Sequence, residues 1–155
     1  MKLSEIMITK ALVPEVQATK RDDVIKELVA AMVDAGAISQ DETAAVIKAI
    51  IAREKQATTG IGKGIALPHA KLASIKKPIA TIGLVADGVD FSSLDTQPVF
   101  GVILLLSNPD TPDEHLQAME TIFKNVQREM FRKFLFQAKD VDSIVELLRE
   151  SDDMN

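Results

Sequence analysis

Eight consecutive residues, Val99 to Leu106, read Val-Phe-Gly-Val-Ile-Leu-Leu-Leu and contain no polar side chain. The run is too short for a bilayer helix, which needs about 20 apolar residues. It reads as a strand buried on both faces, the kind found where helices cover a sheet. A second strand is expected at Ile79 to Ala86, with turns at Asp87-Gly88 and Asp95 between the two. A shorter one covers Leu12 to Ala18, and Pro14 places it at an edge.

Helical periodicity supplies the cover. Lys20 to Ala35 carries Val24, Ile25, Leu28, Val29, Met32 and Val33 on one stripe, with Thr19 as cap and Gly36 as left-handed stop. A second helix starts at Ser39, where Ser39 and Glu42 have capping-box spacing. It buries Val46, Ile47, Ile50 and Ile51 and ends near Lys55. A third opens at Thr111, with Pro112 at the first helical position and Glu114 completing a capping box. Its expected core face is Leu116, Met119, Ile122, Phe123 and Val126. Two short helices follow, near Glu129 to Ala138 and Val141 to Glu150, the last capped by Asp140; Ser151 to Asn155 should fray. The fold class is α/β, and residues 1–155 read as a single domain with a core of about 3–150.

Composition removes several function classes. With no cysteine, disulfides, thiolate metal sites and cysteine nucleophiles are excluded. Net charge is −5, and Tyr and Trp are absent, so neither a general basic face nor strong stacking platforms for nucleic acid exist. A local basic cluster remains in Lys63, Lys71, Lys76 and Lys77. Glu5 and Lys10 interrupt the N-terminal apolar run, so it is not a signal peptide. No direct membrane insertion and a cytoplasmic setting are expected.

Periodicity breaks down between Ala57 and His69, and chemistry concentrates there. The stretch Thr59-Gly60-Ile61-Gly62-Lys63-Gly64-Ile65-Ala66-Leu67-Pro68-His69 places a glycine at every second position and then Pro-His. It is not a Walker A loop, because Lys63 is followed by Gly64 and not by Ser or Thr. It is not a dinucleotide fingerprint either, because the spacing is G-x-G-x-G and the preceding segment is polar. Successive N–H groups over Thr59, Gly60, Ile61, Gly62 and Gly64 offer an anion-binding nest. Pro68 stiffens the backbone before His69. A neutral imidazole is nucleophilic near pH 7, and phosphoryl transfer needs positioning and neutralisation of oxygen charge more than covalent help. Arg53 stands shortly before the glycines, and His115, the second of two histidines, falls in the first turn of a helix, where the dipole favours an anion. Singly, each residue reads as a turn, a solvated face or an ion-pair partner; together they point to His69 as phosphoryl acceptor, with His115 supporting and Arg53 stabilising charge.

The runs Arg53-Glu54-Lys55, Thr59-Gly60-Ile61-Gly62 and Gly64-Ile65-Ala66-Leu67-Pro68-His69 resemble the signature of the EIIA components (type 2) of the fructose, mannitol and nitrogen-regulatory branch of the sugar phosphotransferase system. Val89-Asp90-Phe91, Asp95, Gln97-Pro98-Val99 and Glu114-His115-Leu116 are similar to it as well. The resemblance implies a mixed β-sheet flanked by helices and no metal or cofactor. It implies that phospho-HPr, or its nitrogen-branch counterpart, donates to His69 through Nε2, with His115 and Arg53 as active-site partners. The next acceptor would be an EIIB cysteine. The alternative is a non-transferring regulatory module that controls a kinase or potassium transporter. Ala70 and Phe100 depart from the common pattern. No EIIB, EIIC or HPr domain accompanies the segment, which leans towards the nitrogen-regulatory type; Asp113-Glu114-His115-Leu116 leans towards the fructose type.

Overall fold

A computed structural model describes residues 1–154. Its elements in chain order are α1 (Leu3–Ile6), α2 (Arg21–Asp34), α3 (Thr43–Gln56), β1 (Gly60–Gly62), β2 (Ile65–Ala66), β3 (His69–Lys71), β4 (Ile79–Val89), β5 (Val99–Ser107), α4 (Pro112–Val126), α5 (Glu129–Gln137) and α6 (Val141–Asp153). The apolar run Val99 to Leu106 lies in β5, the centre of the sheet. It pairs antiparallel with β4 along one edge, and along the other it pairs parallel with β2 and then β3. β1 adds antiparallel outside β2, so the sheet is mixed.

Alternation along β5 explains why no polar side chain is tolerated in its centre. Val102, Leu104 and Leu106 enter one core, with Val24, Leu28, Met32, Val46 and Ile50 of α2 and α3. Ile103 and Leu105 enter the other, with Ala118, Ile122, Phe131, Leu135, Ile144 and Leu148 of α4, α5 and α6. Each buried branched or linear aliphatic side chain there contributes roughly 1.5–3 kcal/mol.

Several sequence expectations need correction. Leu12 to Ala18 is not a continuous strand; Val13 makes an isolated parallel bridge to Gly83, and the Val13 and Val16 N–H groups donate to Ile82 and Leu84. Asp87-Gly88 is no turn, because β4 runs through it to Val89 with a register slip after Leu84. Thr19 does not cap α2, whose cap position is Lys20; instead Glu27 reaches back to the N–H groups of Gln17 and Ala18. Ser39 makes no side-chain cap, and a 3-10 turn over Gln40–Glu42 delays α3 until Thr43. Thr111 makes no side-chain cap either, since its hydroxyl turns towards the Asn108 carbonyl. Leu116 is 56% exposed, and Ala118 and Asn125 take the buried positions with Ile122 and Val126. Ile47 and Ile51 are only half-buried. The tail does not fray from Ser151: α6 continues to Asp153, Ser151 is buried, and Asp152 accepts from Ser4. Asn155 lies outside the described residues. Asp140 does cap α6, accepting from the Ser143 N–H at 2.8 Å. Among the described residues no helix is long and apolar enough to cross a membrane.

Candidate functional site

Residues 65–71 travel along one edge of β5 as two short strands with a break at Leu67-Pro68. Proline has no N–H to give to a ladder. The Leu67 N–H therefore turns outward and donates to the Thr59 carbonyl at 2.9 Å, and the Pro68 carbonyl accepts from Leu105 at 3.0 Å. The chain re-enters the sheet at His69, opposite Leu105. His69 is thus fixed by a ladder immediately after a rigid residue.

Around it lies a cavity of about 350 Å³ lined by Ala49, Ala52, Arg53, Gln56, His69, Ala70, Lys71 and His115. α3 contributes its last two turns and α4 its first turn. Three of the side chains named from the sequence, His69, His115 and Arg53, meet here. The two imidazole centroids are 5.7 Å apart, with planes tilted by 49°.

His69 Nδ1 lies 2.8 Å from the Leu67 carbonyl oxygen. A carbonyl only accepts, so Nδ1 carries the hydrogen and donates it, and Nε2 keeps a free lone pair. Burial holds the ring's pKa below the usual 6.5, with the charges of Arg53 and Lys71 adding to the depression against the opposing Leu67 bond and Glu54 charge. His115 is pushed down to about 4 by burial, Lys71 and His69. Both rings are therefore neutral near pH 7. His115 Nδ1 is held 2.5 Å from the hydroxyl of Ser107, the last residue of β5. Arg53 spends one N–H on the Ala57 carbonyl at 2.8 Å, which anchors its guanidinium beside the cavity.

The glycine-rich segment behaves differently from expectation. Gly60, Gly62 and Gly64 belong to the β1–β2 hairpin and do not line the His69 cavity. At its tip the Lys63 N–H donates to the Asp95 carboxylate at 2.9 Å, so that part of the supposed nest already holds an anion from the chain itself. Gly64 takes φ of 81° and presses on Phe136 and Phe100 closely enough that a Cβ would lie 3.1 Å from a ring atom. Ile61 packs on the core beneath α4 and α6. Thr59 is buried, bound to Glu54.

Lys71, Ser107 and Glu54 were missed as site residues. Lys71 stands two residues after His69 on the same strand, a spacing that keeps it on the same face. Glu54 continues the Val46–Ile50 stripe at intervals of four, so its burial was legible in the helical period. Among the described residues no cluster of three metal-binding side chains occurs.

Residues 6–151 match the family model of the phosphoenolpyruvate-dependent sugar phosphotransferase system, EIIA 2. The chain is 34% identical over 152 residues to the fructose-specific EIIABC component of Bacillus subtilis (strain 168), covering 98% of this chain but only 24% of that protein. It is 32% identical over 136 residues to the fructose-specific EIIA component of Haloferax volcanii, covering 88% and 86% of the two chains. The nitrogen regulatory protein IIA-Ntr from Neisseria meningitidis superposes with a TM-score of 0.84 at 23% identity, covering 94% and 98%. The Escherichia coli complex of enzyme IIAMTL and phosphorylated enzyme IIBMTL contains a chain that superposes at 0.73 with 21% identity, covering 91% and 95%. At those identities the two structures speak for the fold alone.

Proposed function

The chain belongs to the EIIA 2 family of the phosphoenolpyruvate-dependent sugar phosphotransferase system, and from that membership and the His69 geometry we propose that it is a phosphocarrier with His69 Nε2 as acceptor. The observation that carries the reading is the 2.8 Å bond between His69 Nδ1 and the Leu67 carbonyl. It fixes the tautomer that leaves Nε2 free to attack.

In the proposed step the Nε2 lone pair forms a bond to phosphorus as the bond from phosphorus to the donor's imidazole nitrogen breaks in line. The electron pair of the breaking bond returns to the donor ring. No proton moves between the rings: His69 keeps its hydrogen on Nδ1 and takes on the positive charge, and the donor ring, protonated on its other nitrogen, leaves as a neutral imidazole. Arg53 and Lys71 oppose the charge on the phosphoryl oxygens. His115, neutral and held through Nδ1, presents its other nitrogen as a hydrogen-bond partner. The donor is HPr or its nitrogen-branch counterpart, which places the protein in the cytoplasm. The next acceptor is a cysteine of an EIIB domain, in keeping with membership of the EIIA 2 family. The two fructose-specific relatives favour the sugar branch.

The test is incubation with phosphoenolpyruvate, Enzyme I and HPr, followed by intact mass. An acid-labile gain of one phosphoryl group is expected on the wild type and none on His69→Ala. Equal labelling of the two would defeat the assignment.

A further inference from the structure

Glu54 is the only charged side chain buried among the described residues, at 2% exposure. Its sequence neighbour Arg53 points to another face of the helix, because adjacent helical residues do not face each other. Arg53 turns to the Ala57 carbonyl, and both oxygens of Glu54 go to a single residue beyond the end of α3. Oε2 accepts the Thr59 N–H at 2.7 Å and Oε1 accepts the Thr59 hydroxyl at 2.5 Å.

Thr59 is in turn tied to the reacting histidine. Its carbonyl accepts the Leu67 N–H at 2.9 Å. The Leu67 carbonyl accepts the His69 Nδ1–H at 2.8 Å. Three short links thus connect a carboxylate on α3 to the ring nitrogen opposite the nucleophile. The two ends of the Leu67 residue are clamped between Thr59 and His69, next to Pro68, which has no N–H to give and meets the sheet through its carbonyl, on Leu105. We infer that Glu54 is a positioning residue: through Thr59 and Leu67 it aims a carbonyl at His69 Nδ1 and so selects the tautomer with a free Nε2.

The inference deepens the phosphocarrier reading, and its kinetic arm rests on that reading. Its physical content is independent of it. An imidazole without a fixed acceptor at Nδ1 exchanges its hydrogen between the two nitrogens, and in the wrong tautomer Nε2 has no lone pair to offer. The Leu67 N–H and carbonyl lie on the two peptide groups that flank its Cα, so releasing Thr59 frees the first and loosens the torsion that aims the second, which costs both tautomer selection and ring orientation. A simple end-of-helix anchor would stabilise the fold without touching the ring. The carboxylate's negative charge also reaches His69, where it raises proton affinity against the pull of Arg53 and Lys71. Position and charge must therefore be separated by experiment.

Glu54→Leu removes both acceptors. Glu54→Gln removes the charge but keeps the bonds, because its carbonyl accepts the Thr59 N–H and its amide donates to the Thr59 hydroxyl oxygen. Two readouts apply: ¹⁵N spectra of the imidazoles in the unphosphorylated protein, and single-turnover transfer from phospho-HPr with its concentration dependence. For Glu54→Leu, mixed tautomers at His69 are expected, with a transfer rate lowered about ten- to a hundredfold, the scale of a misplaced reacting atom, at nearly unchanged half-saturation. Glu54→Gln should keep the wild-type tautomer and a rate within about twofold. A Gln variant as slow as the Leu variant would assign the effect to charge and overturn the inference. A Leu variant with wild-type spectrum and rate would overturn it too. If Glu54→Leu does not fold, Thr59→Val and Thr59→Ser repeat the comparison, since serine keeps the hydroxyl link and valine loses it. If the wild type takes no phosphoryl group, the parent reading falls, while the tautomer comparison still decides the role of Glu54.

Discussion

Acidification should destabilise this protein through His115 over a defined window. The ring's ordinary pKa is 6.5 and the fold pushes it down to about 4, through burial first and then the charges of Lys71 and His69. Above pH 6.5 the ring is neutral in both folded and unfolded chains, and stability is at its full value. As pH falls towards 4 the unfolded chain takes up a proton that the folded chain refuses, so stability drops; below 4 both are protonated and the loss levels off. The fall from 6.5 to about 4, at about 1.36 kcal/mol for each tenfold change in proton affinity, sets a ceiling of roughly 3.4 kcal/mol. The ring is only partly buried, so solvent screens the effect, and we discount the ceiling to about 1–2 kcal/mol. With a urea slope of about 1–3 kcal/mol per molar, the midpoint should fall by about 0.5–1 M. The assay is urea unfolding of wild type and His115→Gln at about pH 7.5 and about pH 4.5, where the pair isolates His115 because His69 is common to both. A midpoint drop no larger in the wild type than in the variant would refute the reasoning.

Two further stability comparisons follow from packing. Gly36 and Gly64 share a left-handed φ near 80°, but a Cβ at Gly36 meets open space and one at Gly64 meets Phe136 at 3.1 Å and Phe100 at 3.3 Å. Thermal melts should show Gly36→Ala losing about 1 kcal/mol and Gly64→Ala at least about 1 kcal/mol more; equal losses would mean that the rings swing clear. Leu104, fully buried between β4, α2 and α3, should cost about 2–5 kcal/mol as Leu104→Ala. Leu116, 56% exposed beside His115, should cost under about 0.5 kcal/mol as Leu116→Ala in chemical unfolding.

What the sequence made legible follows from how local each signal is. The β5 run, the stripe of α2 and the Asp140 cap depend on neighbours within a turn or a strand, and all stand in the structure. Thr111 and Ser39 have the right spacing for caps, yet each lost to a competing local bond or turn that propensity does not weigh. The spacing of Leu116 puts it on the core stripe, where an apolar residue is expected to be buried, but α4 turns it outward. The histidines, Arg53 and their meeting could be anticipated only as a motif, since His69 and His115 stand 46 positions apart in the chain. The glycine loop misled because its rule, that N–H groups left free hold anions, cannot see that Asp95 lies 32 residues away and fills part of it.

The charge balance around His69 favours passage over capture, if the ring takes a phosphoryl group as proposed. A site built to retain phosphate would gather several free cations and bidentate donors. Here Arg53 has committed part of its guanidinium to the Ala57 carbonyl, Lys71 is exposed, and His115 is neutral. Two cations, one of them partly committed, thus draw phosphoryl oxygens into the 350 Å³ cavity, and the uncharged second imidazole adds no third charge to hold them there. An acceptor nitrogen with a fixed lone pair, placed among so few charges, can give a group up about as readily as it receives it, and reversibility of that kind is what a carrier between two protein partners requires.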